Sequence, residues 1–320
     1  MRGNRELFES HQLFLNSHWS NIAHNTTISL ILTMKPFIAL LALSLLGMAS
    51  ANDNQKFIYY TSDDGINGGS PAIMDAAKEA GVKVTFFING DSINAGQWGS
   101  SGAADNIRYF LRMIREGHTI GDHSLNHMAH NSETEPADGR NVYQSLDDIK
   151  YFGKSNVAVF AKVLQSVGLP FAQSRSIITD MSKMVRMPFV NNWRVKMANG
   201  QPPIDFTCRN CIVPYESAEI AADVADALFK GGKQVFGWDL EWRSVYGEGL
   251  IQTPEEMMEE VRKISQGVKK AKGGPNKIVL LNHDHGFLYG DKPKEALSRF
   301  FDMAKKEGYQ FRSLSTFATD

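Results

Sequence analysis

The chain has 320 residues, of which 42% are hydrophobic and 22% are charged. This composition is typical of a globular protein with one large α/β domain or two smaller ones, and it excludes a fibrous or low-complexity chain. A formal net charge of −1 gives no surface that would attract nucleic acid.

The N-terminal region carries the pattern of a secretory signal peptide. Lys35 precedes an apolar run from Phe37 to Leu46, and the small residues Ala49–Ala51 follow. A positive start, a short apolar stretch and small residues before the cleavage point are the three parts of such a signal. We therefore predict a signal peptide at residues 34–51, and a protein that is secreted or periplasmic.

Cleavage after Ala51 would leave one mature domain, residues 52–320. Residues 1–33 would be an upstream extension from a start codon assigned too early, because a signal peptide normally begins at the initiator methionine. The alternative is a membrane anchor that begins near Ile28. We favour cleavage, because the apolar run is short for a span of ~20 residues. The mature protein is therefore expected to have no membrane span.

Strand-like and helix-like patterns alternate along the mature chain. Short β-branched or aromatic runs predict strands at Lys56–Thr61, Val82–Ile88, His118–Asp122, Met184–Phe189, Lys233–Trp242, Lys277–Leu281 and Tyr309–Leu314. Apolar residues at helical spacing predict helices at Ser70–Ala80, Ala104–Glu116, Val142–Phe152, Val157–Val167, Ser217–Phe229, Pro254–Lys270 and Asp291–Lys306. The alternation indicates a parallel α/β architecture, and both an open doubly wound sheet and a closed barrel fit it.

Polar side chains stand near the ends of several predicted strands. They are Asp63 and Asp64 after the first strand, His123 after the third, Arg186 in a later extended piece, Asp239 and Glu241 near the end of another, and His283 after the penultimate one. The carboxyl ends of barrel strands meet at one rim, where barrel enzymes keep their chemistry. The pattern therefore predicts one site at that rim.

A divalent metal would explain why two like charges stand side by side. Asp63 and Asp64 would repel each other unless a cation shares their site. His123 and His127 are spaced i, i+4, which predicts two imidazoles on one face of a helical turn. Two histidines and one carboxylate form a common open catalytic site for zinc and related ions. One aspartate would bind the metal while its neighbour holds or takes a proton.

Five motifs, in their order, resemble those of the polysaccharide deacetylases, carbohydrate esterase family 4. The family patterns are T-F-D-D-G, H-[ST]-x-x-H, R-x-P-[FY], D-x-x-D-W and L-x-x-H. The corresponding segments here are TSDDG (Thr61–Gly65), HSLNH (His123–His127), RMPF (Arg186–Phe189), WDLEW (Trp238–Trp242) and LLNH (Leu280–His283). The resemblance covers nearly all of the mature chain and implies a distorted (β/α) barrel, TIM-like, with seven or eight strands.

The resemblance implies a role for each residue at the front of the site. Asp64, His123 and His127 would hold the metal, which is usually Zn²⁺ in this family, with Co²⁺ or another divalent ion as the alternative. Asp63 would be the general base. Arg186 would pair with that base and orient it.

His283 is implied to be the general acid, oriented by an acidic residue of the fourth motif. Asp239 or Glu241 can take that part, because alternate residues of a strand share one face. Glu241 is preferred, because an apolar residue precedes it as in the family. Asp284 and His285 follow the acid, and we expect both to line the rim of the site.

The first motif departs from the family pattern at two positions. Ser62 stands where the family has Phe, and Ile66 stands where a Pro commonly follows the Gly. Neither position bears a proton or a metal ligand. We therefore expect altered packing of this loop rather than lost chemistry.

Aromatic residues near the motifs are candidates for stacking on sugar rings. They are Trp98, Phe189, Trp193, Tyr215, Trp238 and Trp242. Trp98 lies in a Gly/Ser-rich insert, Asn94–Ala104, which follows the second predicted strand and so falls among the rim loops of a barrel. For every one of them the alternative is a place in the hydrophobic core.

The two cysteines, Cys208 and Cys211, form a C-x-x-C pair in a Pro-rich loop. In an exported protein this spacing indicates a local disulfide. A zinc knuckle would need two more ligands nearby, and the sequence around the pair has none.

The resemblance implies a metal-dependent deacetylase that removes the N-acetyl group of N-acetylglucosamine residues, with chitin or chitooligosaccharides as the expected substrate. The signal peptide predicts that it is secreted. Peptidoglycan and acetylated xylan are alternatives, because the family uses near-identical catalytic parts for all three. The alternative of another class is a non-catalytic glycan-binding protein on a degraded esterase scaffold. The glycan is the expected partner, and we expect a monomer.

Overall fold

A ten-stranded β-sheet organises the computed structural model, which describes residues 55–93, 102–127, 129–130, 143–144, 154–209 and 218–320. In chain order the strands of this part are β1 (Lys56–Gly65), β2 (Thr85–Ile88), β3 (Thr119–Asp122), β4 (Ala129–His130), β5 (Tyr143–Gln144), β6 (Met184–Val185), β7 (Trp193–Val195), β8 (Ile204–Phe206), β9 (Gln234–Val235), β10 (Leu240–Glu241), β11 (Ser244–Val245), β12 (Gly249–Leu250), β13 (Lys277–His283) and β14 (Tyr309–Phe311). The pairs β4–β5 and β11–β12 form separate two-stranded sheets. The predicted signal peptide and upstream extension lie outside the described residues.

The strand order identifies the sheet as a barrel rather than a doubly wound sheet. Seven parallel strands lie side by side in the order β10-β13-β1-β2-β3-β6-β9. A doubly wound sheet with the order 3-2-1-4-5-6 would place β6, the fourth parallel strand along the chain, beside β1. Here the order is cyclic along the chain and interrupted between β9 and β10. The predicted distorted (β/α) barrel is therefore confirmed, with β7 and β8 added as an antiparallel extension beside β9.

Helices follow most of the parallel strands. They are α1 (Ser70–Ala80), α2 (Gly90–Ile93), α3 (Ala103–Arg115), α4 (Lys154–Ser166), α5 (Phe171–Lys183), α6 (Ala218–Lys230), α7 (Pro254–Ser265) and α8 (Pro293–Lys306). Local sequence signals set their ends. Gly81 ends α1 at φ 63°, a left-handed conformation that glycine adopts without strain. Thr253 begins α7 with a capping box shared with Glu256. No helix of the described residues is both long and apolar enough to cross a membrane.

Strand β1 separates two layers of the core by alternation. Phe57 and Tyr59 point into the barrel, where Tyr59 packs edge-to-face on Phe317 at a ring-centroid distance of 5.1 Å. Ile58 and Tyr60 point to the helices, and Tyr60 packs on Phe301 of α8 at 5.2 Å.

The same alternation continues to the carboxyl end of β1. Thr61 and Asp63 continue the interior face, and Ser62 continues the helix face, because successive side chains of a strand point to opposite sides. Thr61, Ser62 and Asp63 are all buried. The first motif therefore places polar side chains both in the barrel interior and against the helix layer.

Some predicted elements differ from the structure. The helix α5 and the strands β7 and β8 were not predicted. The predicted strand Lys233–Trp242 is two short strands, β9 and β10, since each pairs with a different neighbour at the opening of the barrel. The predicted helix Val142–Phe152 lies mostly outside the described residues, and Tyr143–Gln144 within it is extended and paired with β4.

Candidate functional site

Four strands deliver the predicted polar residues to one edge of the sheet. The parallel register of β1 and β13 places Asp63 directly opposite His283. His123 follows β3, and Arg186 follows β6, which is paired with the end of β3. Because carboxyl ends of parallel strands share an edge, residues far apart in the chain meet there.

Arg186 fixes the orientation of Asp63. Its guanidinium is fully buried, and Nη1 donates to Asp63 Oδ1 at 2.8 Å and to Thr61 Oγ1 at 2.7 Å. The other donors are used by backbone carbonyls, Nε by Phe236 at 3.2 Å and Nη2 by Gly237 at 2.8 Å. Burial lowers the pKa of Arg186, and the charge of Asp63 opposes that shift. Arg186 thus holds Oδ1 of Asp63. The other oxygen, Oδ2, lies 3.6 Å from His123 Nε2.

Asp64, His123 and His127 bring three ligand atoms together. Asp64 Oδ1 lies 3.2 Å from His123 Nε2 and 3.0 Å from His127 Nε2. All three atoms lie within 4.8 Å of one another. This is the convergence of two imidazoles and one carboxylate that the sequence predicts.

The loop after β3 positions the two histidines without forming a helical turn. Ser124 N donates to Asp122 Oδ1 at 3.0 Å, and His127 N donates to Ser124 Oγ at 3.1 Å. Ser124 and His127 have φ values of 70° and 55°, and a right-handed helical turn does not contain such residues. The expectation of a helical H-x-x-x-H face is therefore wrong, although the two imidazoles do meet.

The donor set fits a divalent cation. His123 Nδ1 lies 2.8 Å from the carbonyl oxygen of Arg186, so that nitrogen carries the proton and Nε2 presents its lone pair. Asp64 Oδ1 is buried and has no hydrogen-bond donor among the described residues. Burial would raise the pKa of Asp64, but the imidazoles of His127 and His123 hold it well below its usual range. An ionised oxygen facing two ring nitrogens is an arrangement that zinc and related ions use.

The two candidate partners of His283 are separated by the structure. Asp239 accepts backbone N–H bonds from Lys272 at 2.7 Å and from Val279 at 2.9 Å, so both of its oxygens are used by backbone groups in and before β13. Burial raises the pKa of Asp239 to about 6. Glu241 instead lines the cavity that contains His283. Of the two, only Glu241 lines the cavity with His283, and its role in orienting His283 stays a prediction.

A cavity of about 300 Å³ opens above these groups. It is lined by Asp63, Asp64, His123, His127, Met187, Phe189, Trp238, Glu241, Tyr246, Leu281, His283 and His285. Phe189 packs edge-to-face on His127 at 4.4 Å and is 37% exposed. Phe189 and Trp238 therefore line the cavity, and their contact with a sugar stays a prediction.

The structure corrects two aromatic candidates. Trp193 and Trp242 are fully buried, since their rings fill the core and their indole N–H groups donate to Asn191 Oδ1 and to the Gln252 carbonyl. Neither presents a free face for stacking. Trp98 and Tyr215 lie outside the described residues, as does Cys211, so the disulfide with Cys208 stays a prediction.

The segment after His283 also differs from the expectation. His285 lines the cavity as predicted, and burial lowers its pKa. Asp284 is fully buried and does not line the rim, because its side chain turns toward the helix layer.

Tyr246, in the β11–β12 hairpin, lines the cavity beside the histidines and was not predicted. Its side chain is 52% exposed, and its ring packs on Tyr289 at 5.2 Å. The sequence signal that would have found it is a tyrosine between two short strands with glycines at the turn, directly after the fourth motif.

Comparisons with known proteins agree with the motifs. Residues 50–167 match the model of the family described as polysaccharide deacetylase. The chain is 24% identical to a chitin disaccharide deacetylase of Vibrio alginolyticus, over 83% of this chain and 72% of that protein. It is 36% identical to the peptidoglycan-N-acetylmuramic acid deacetylase PdaA of Bacillus subtilis, over only 24% of this chain and 26% of that protein.

A solved structure, the Bc1960 peptidoglycan N-acetylglucosamine deacetylase, is also similar. It is 17% identical, with a TM-score of 0.49 over 82% of this chain and 88% of that chain. The matched region begins just before β1 and contains the first two motifs in full. The region that holds Asp63, Asp64, His123 and His127 is therefore similar to the polysaccharide deacetylase family, in agreement with the five motifs in their order.

Proposed function

We propose that the protein is a metal-dependent deacetylase that hydrolyses the N-acetyl group of N-acetylglucosamine residues in chitin or chitooligosaccharides and releases acetate. Similarity to the polysaccharide deacetylase family supports a hydrolase that deacetylates carbohydrates. The observation that carries the proposal is the convergence of Asp64, His123 and His127 beside an aspartate that Arg186 holds by one oxygen only.

The side chains divide the chemistry of amide hydrolysis between two sides of the cavity. A divalent cation bound by Asp64, His123 and His127 would polarise the acetyl carbonyl and lower the pKa of a water. Asp63 Oδ2 is free to accept the proton of the attacking water, because Arg186 occupies Oδ1. His283, opposite Asp63 on β13, would donate a proton to the departing nitrogen. The products are acetate and a free amino sugar.

Short chitin oligosaccharides are the substrate that the observations favour. The relative aligned over most of the chain is named a chitin disaccharide deacetylase. Partly exposed rings of Phe189 and Tyr246 line the cavity and offer faces for pyranose stacking. Peptidoglycan is the second candidate, because shorter stretches match peptidoglycan deacetylases.

The test is acetate release from chitobiose, chitopentaose, peptidoglycan and acetylxylan by the zinc-loaded protein, with a chelated sample as the control. We expect acetate from the chitin oligosaccharides and loss of that activity with the chelator. Acetate release from peptidoglycan and from no other glycan would make peptidoglycan, rather than chitin oligosaccharides, the proposed substrate. No acetate from any glycan, with the metal bound, would instead support a non-catalytic glycan-binding protein.

We also propose that the protein is exported. The support is the signal-like segment at residues 34–51. N-terminal sequencing of protein recovered from the periplasm or medium should begin at Asn52. A cell-associated product that starts before Lys35 would contradict export by this signal.

A further inference from the structure

A buried carboxylate lies directly behind the candidate site, on the helix side of the sheet. Asp284 is fully buried, and each of its oxygens accepts a serine hydroxyl, Oδ1 from Ser62 and Oδ2 from Ser70. Burial raises the pKa of Asp284 to about 7, and the two hydroxyls oppose that shift. A buried carboxylate is costly unless its lone pairs are satisfied, and here hydroxyls satisfy both oxygens.

The three residues join the segments that carry the predicted acid and base. Asp284 directly follows His283, and Ser62 directly precedes Asp63. The register of β1 and β13 pairs Ser62 with Asn282, whose side-chain amide lies 3.0 Å from Ser62 Oγ. The Ser62–Asp284 bond therefore links the two strand ends from behind the sheet.

The loop that follows Asp64 is packed tightly onto the same carboxylate. A Cβ added to Gly65 would lie 2.8 Å from Asp284 Oδ2, and one added to Gly69 would collide with the Asp284 carbonyl oxygen. Ser70 begins α1 and also accepts a hydrogen bond from Asn67 N at 3.1 Å. The loop between Asp64 and Ser70 thus packs closely on Asp284, whose side chain meets Gly65 and Ser70 and whose backbone meets Gly69.

We propose that Asp284 is a positioning residue, which through Ser62 and Ser70 fixes Asp63 and its metal-binding neighbour relative to His283. The proposal rests on the proposed function. It also accounts for Ser62 at a position where the family has Phe, since the serine exchanges an apolar contact for a hydrogen bond to Asp284. Asp284 itself does not line the cavity and contacts no substrate.

The test is a double-mutant cycle of Ser62→Ala and Asp284→Ala, with kcat, KM and bound metal measured on each protein. A displacement near 1 Å can cost about 100-fold in rate, so we expect kcat to fall about 100-fold in Asp284→Ala and about tenfold in Ser62→Ala. KM and metal content should stay near the wild-type values. Adding Ser62→Ala to Asp284→Ala should cost nothing further, because its partner is already gone.

Thr253→Ala is the matched control, because it removes a hydroxyl hydrogen bond at a helix cap outside the cavity lining. It should lower the melting temperature without changing kcat of the folded protein. An unchanged kcat in Ser62→Ala, or a loss of activity that follows metal content, would overturn the positioning role.

Urea unfolding of the same four proteins separates this proposal from the proposed function. If the wild type releases no acetate from any glycan, the proposed function is wrong. The double-mutant cycle is then evaluated from the free energies of unfolding alone. Non-additive stabilities would then support the Ser62–Asp284 link. Additive stabilities would overturn it.

Discussion

Two buried histidines stand at opposite ends of β3, and their surroundings differ in kind. His118 precedes the strand, accepts a hydrogen bond from Val84 N at 3.1 Å on Nδ1, and has Glu116 at 3.7 Å. Burial lowers its pKa to about 4, and the charge of Lys83 adds to that shift. His123 follows the strand, and although burial would lower its pKa, Asp63 and Asp64 raise it.

The difference shows how position on a parallel strand separates a structural histidine from a proposed metal ligand. At the amino end, a neutral imidazole serves as an acceptor for one backbone N–H. At the carboxyl end, β1 supplies the carboxylates of Asp63 and Asp64, so the imidazole belongs to a charged cluster. Burial alone does not distinguish the two, since His118 is 8% exposed and His123 is 2% exposed.

The largest expected effect is at the carboxyl end. His127→Ala removes one of the three proposed metal ligands, so bound zinc and turnover should both be lost. We expect turnover to fall at least about a thousandfold, because several kcal/mol of transition-state stabilisation depend on the ion. Metal analysis and acetate release are the measurements. Retention of stoichiometric zinc with full activity would place the metal elsewhere.

Asp63→Asn separates proton transfer from metal binding at the same edge. The variant keeps Asp64, His123 and His127, so zinc should stay bound. Loss of the base should lower kcat by about 10²- to 10⁴-fold. Zinc content and kcat of the metal-loaded variant distinguish loss of the base from loss of the metal. A variant that loses zinc, yet turns over once zinc is restored, would reverse the roles of the two aspartates.

At the amino end, His118→Asn should change pH-dependent stability and leave kcat alone. The folded pKa of about 4 lies below the ordinary 6.5, so the unfolded chain takes up the proton first as pH falls. The wild type should therefore lose about 3 kcal/mol more stability than the variant between pH 7 and pH 4. Urea unfolding at both pH values measures this. Equal losses would show that His118 titrates normally in the folded protein.

The smallest effect is expected at the cavity wall. Tyr246→Ala should raise KM for chitobiose about five- to tenfold through lost stacking, with kcat nearly unchanged. Tyr246→Phe is the control, because it keeps the ring. Equal KM values for wild type and Tyr246→Ala would remove this residue from the substrate site.

Much of the site was predictable because its signals are local. Asp63, Asp64, His123, Arg186 and His283 each stand at a recognisable strand end, and shared strand direction is enough to bring such ends together. His127 follows in the loop after β3 and is found by its spacing from His123. Helix α1 was predicted with its exact observed bounds, since Pro71 and Gly81 mark its two ends.

The features that were not predicted depend on contacts between residues far apart in the sequence, which local sequence patterns do not indicate. The loop of His123–His127 depends on positive φ values and on Asp122, where i, i+4 spacing predicts a helix. Trp193 and Trp242 stand beside motifs in the sequence but point into the core. Asp284 directly follows His283, which lines the cavity. Its side chain nevertheless faces the helix layer, because it accepts hydrogen bonds from Ser62 and Ser70.

The most direct test of the metal site is the anomalous diffraction of zinc-loaded crystals of the protein. One peak should lie about 2.0–2.2 Å from Asp64 Oδ1, His123 Nε2 and His127 Nε2, with no direct bond to Asp63. A peak at other residues, or zinc-loaded crystals in which these three atoms bind nothing, would contradict the account.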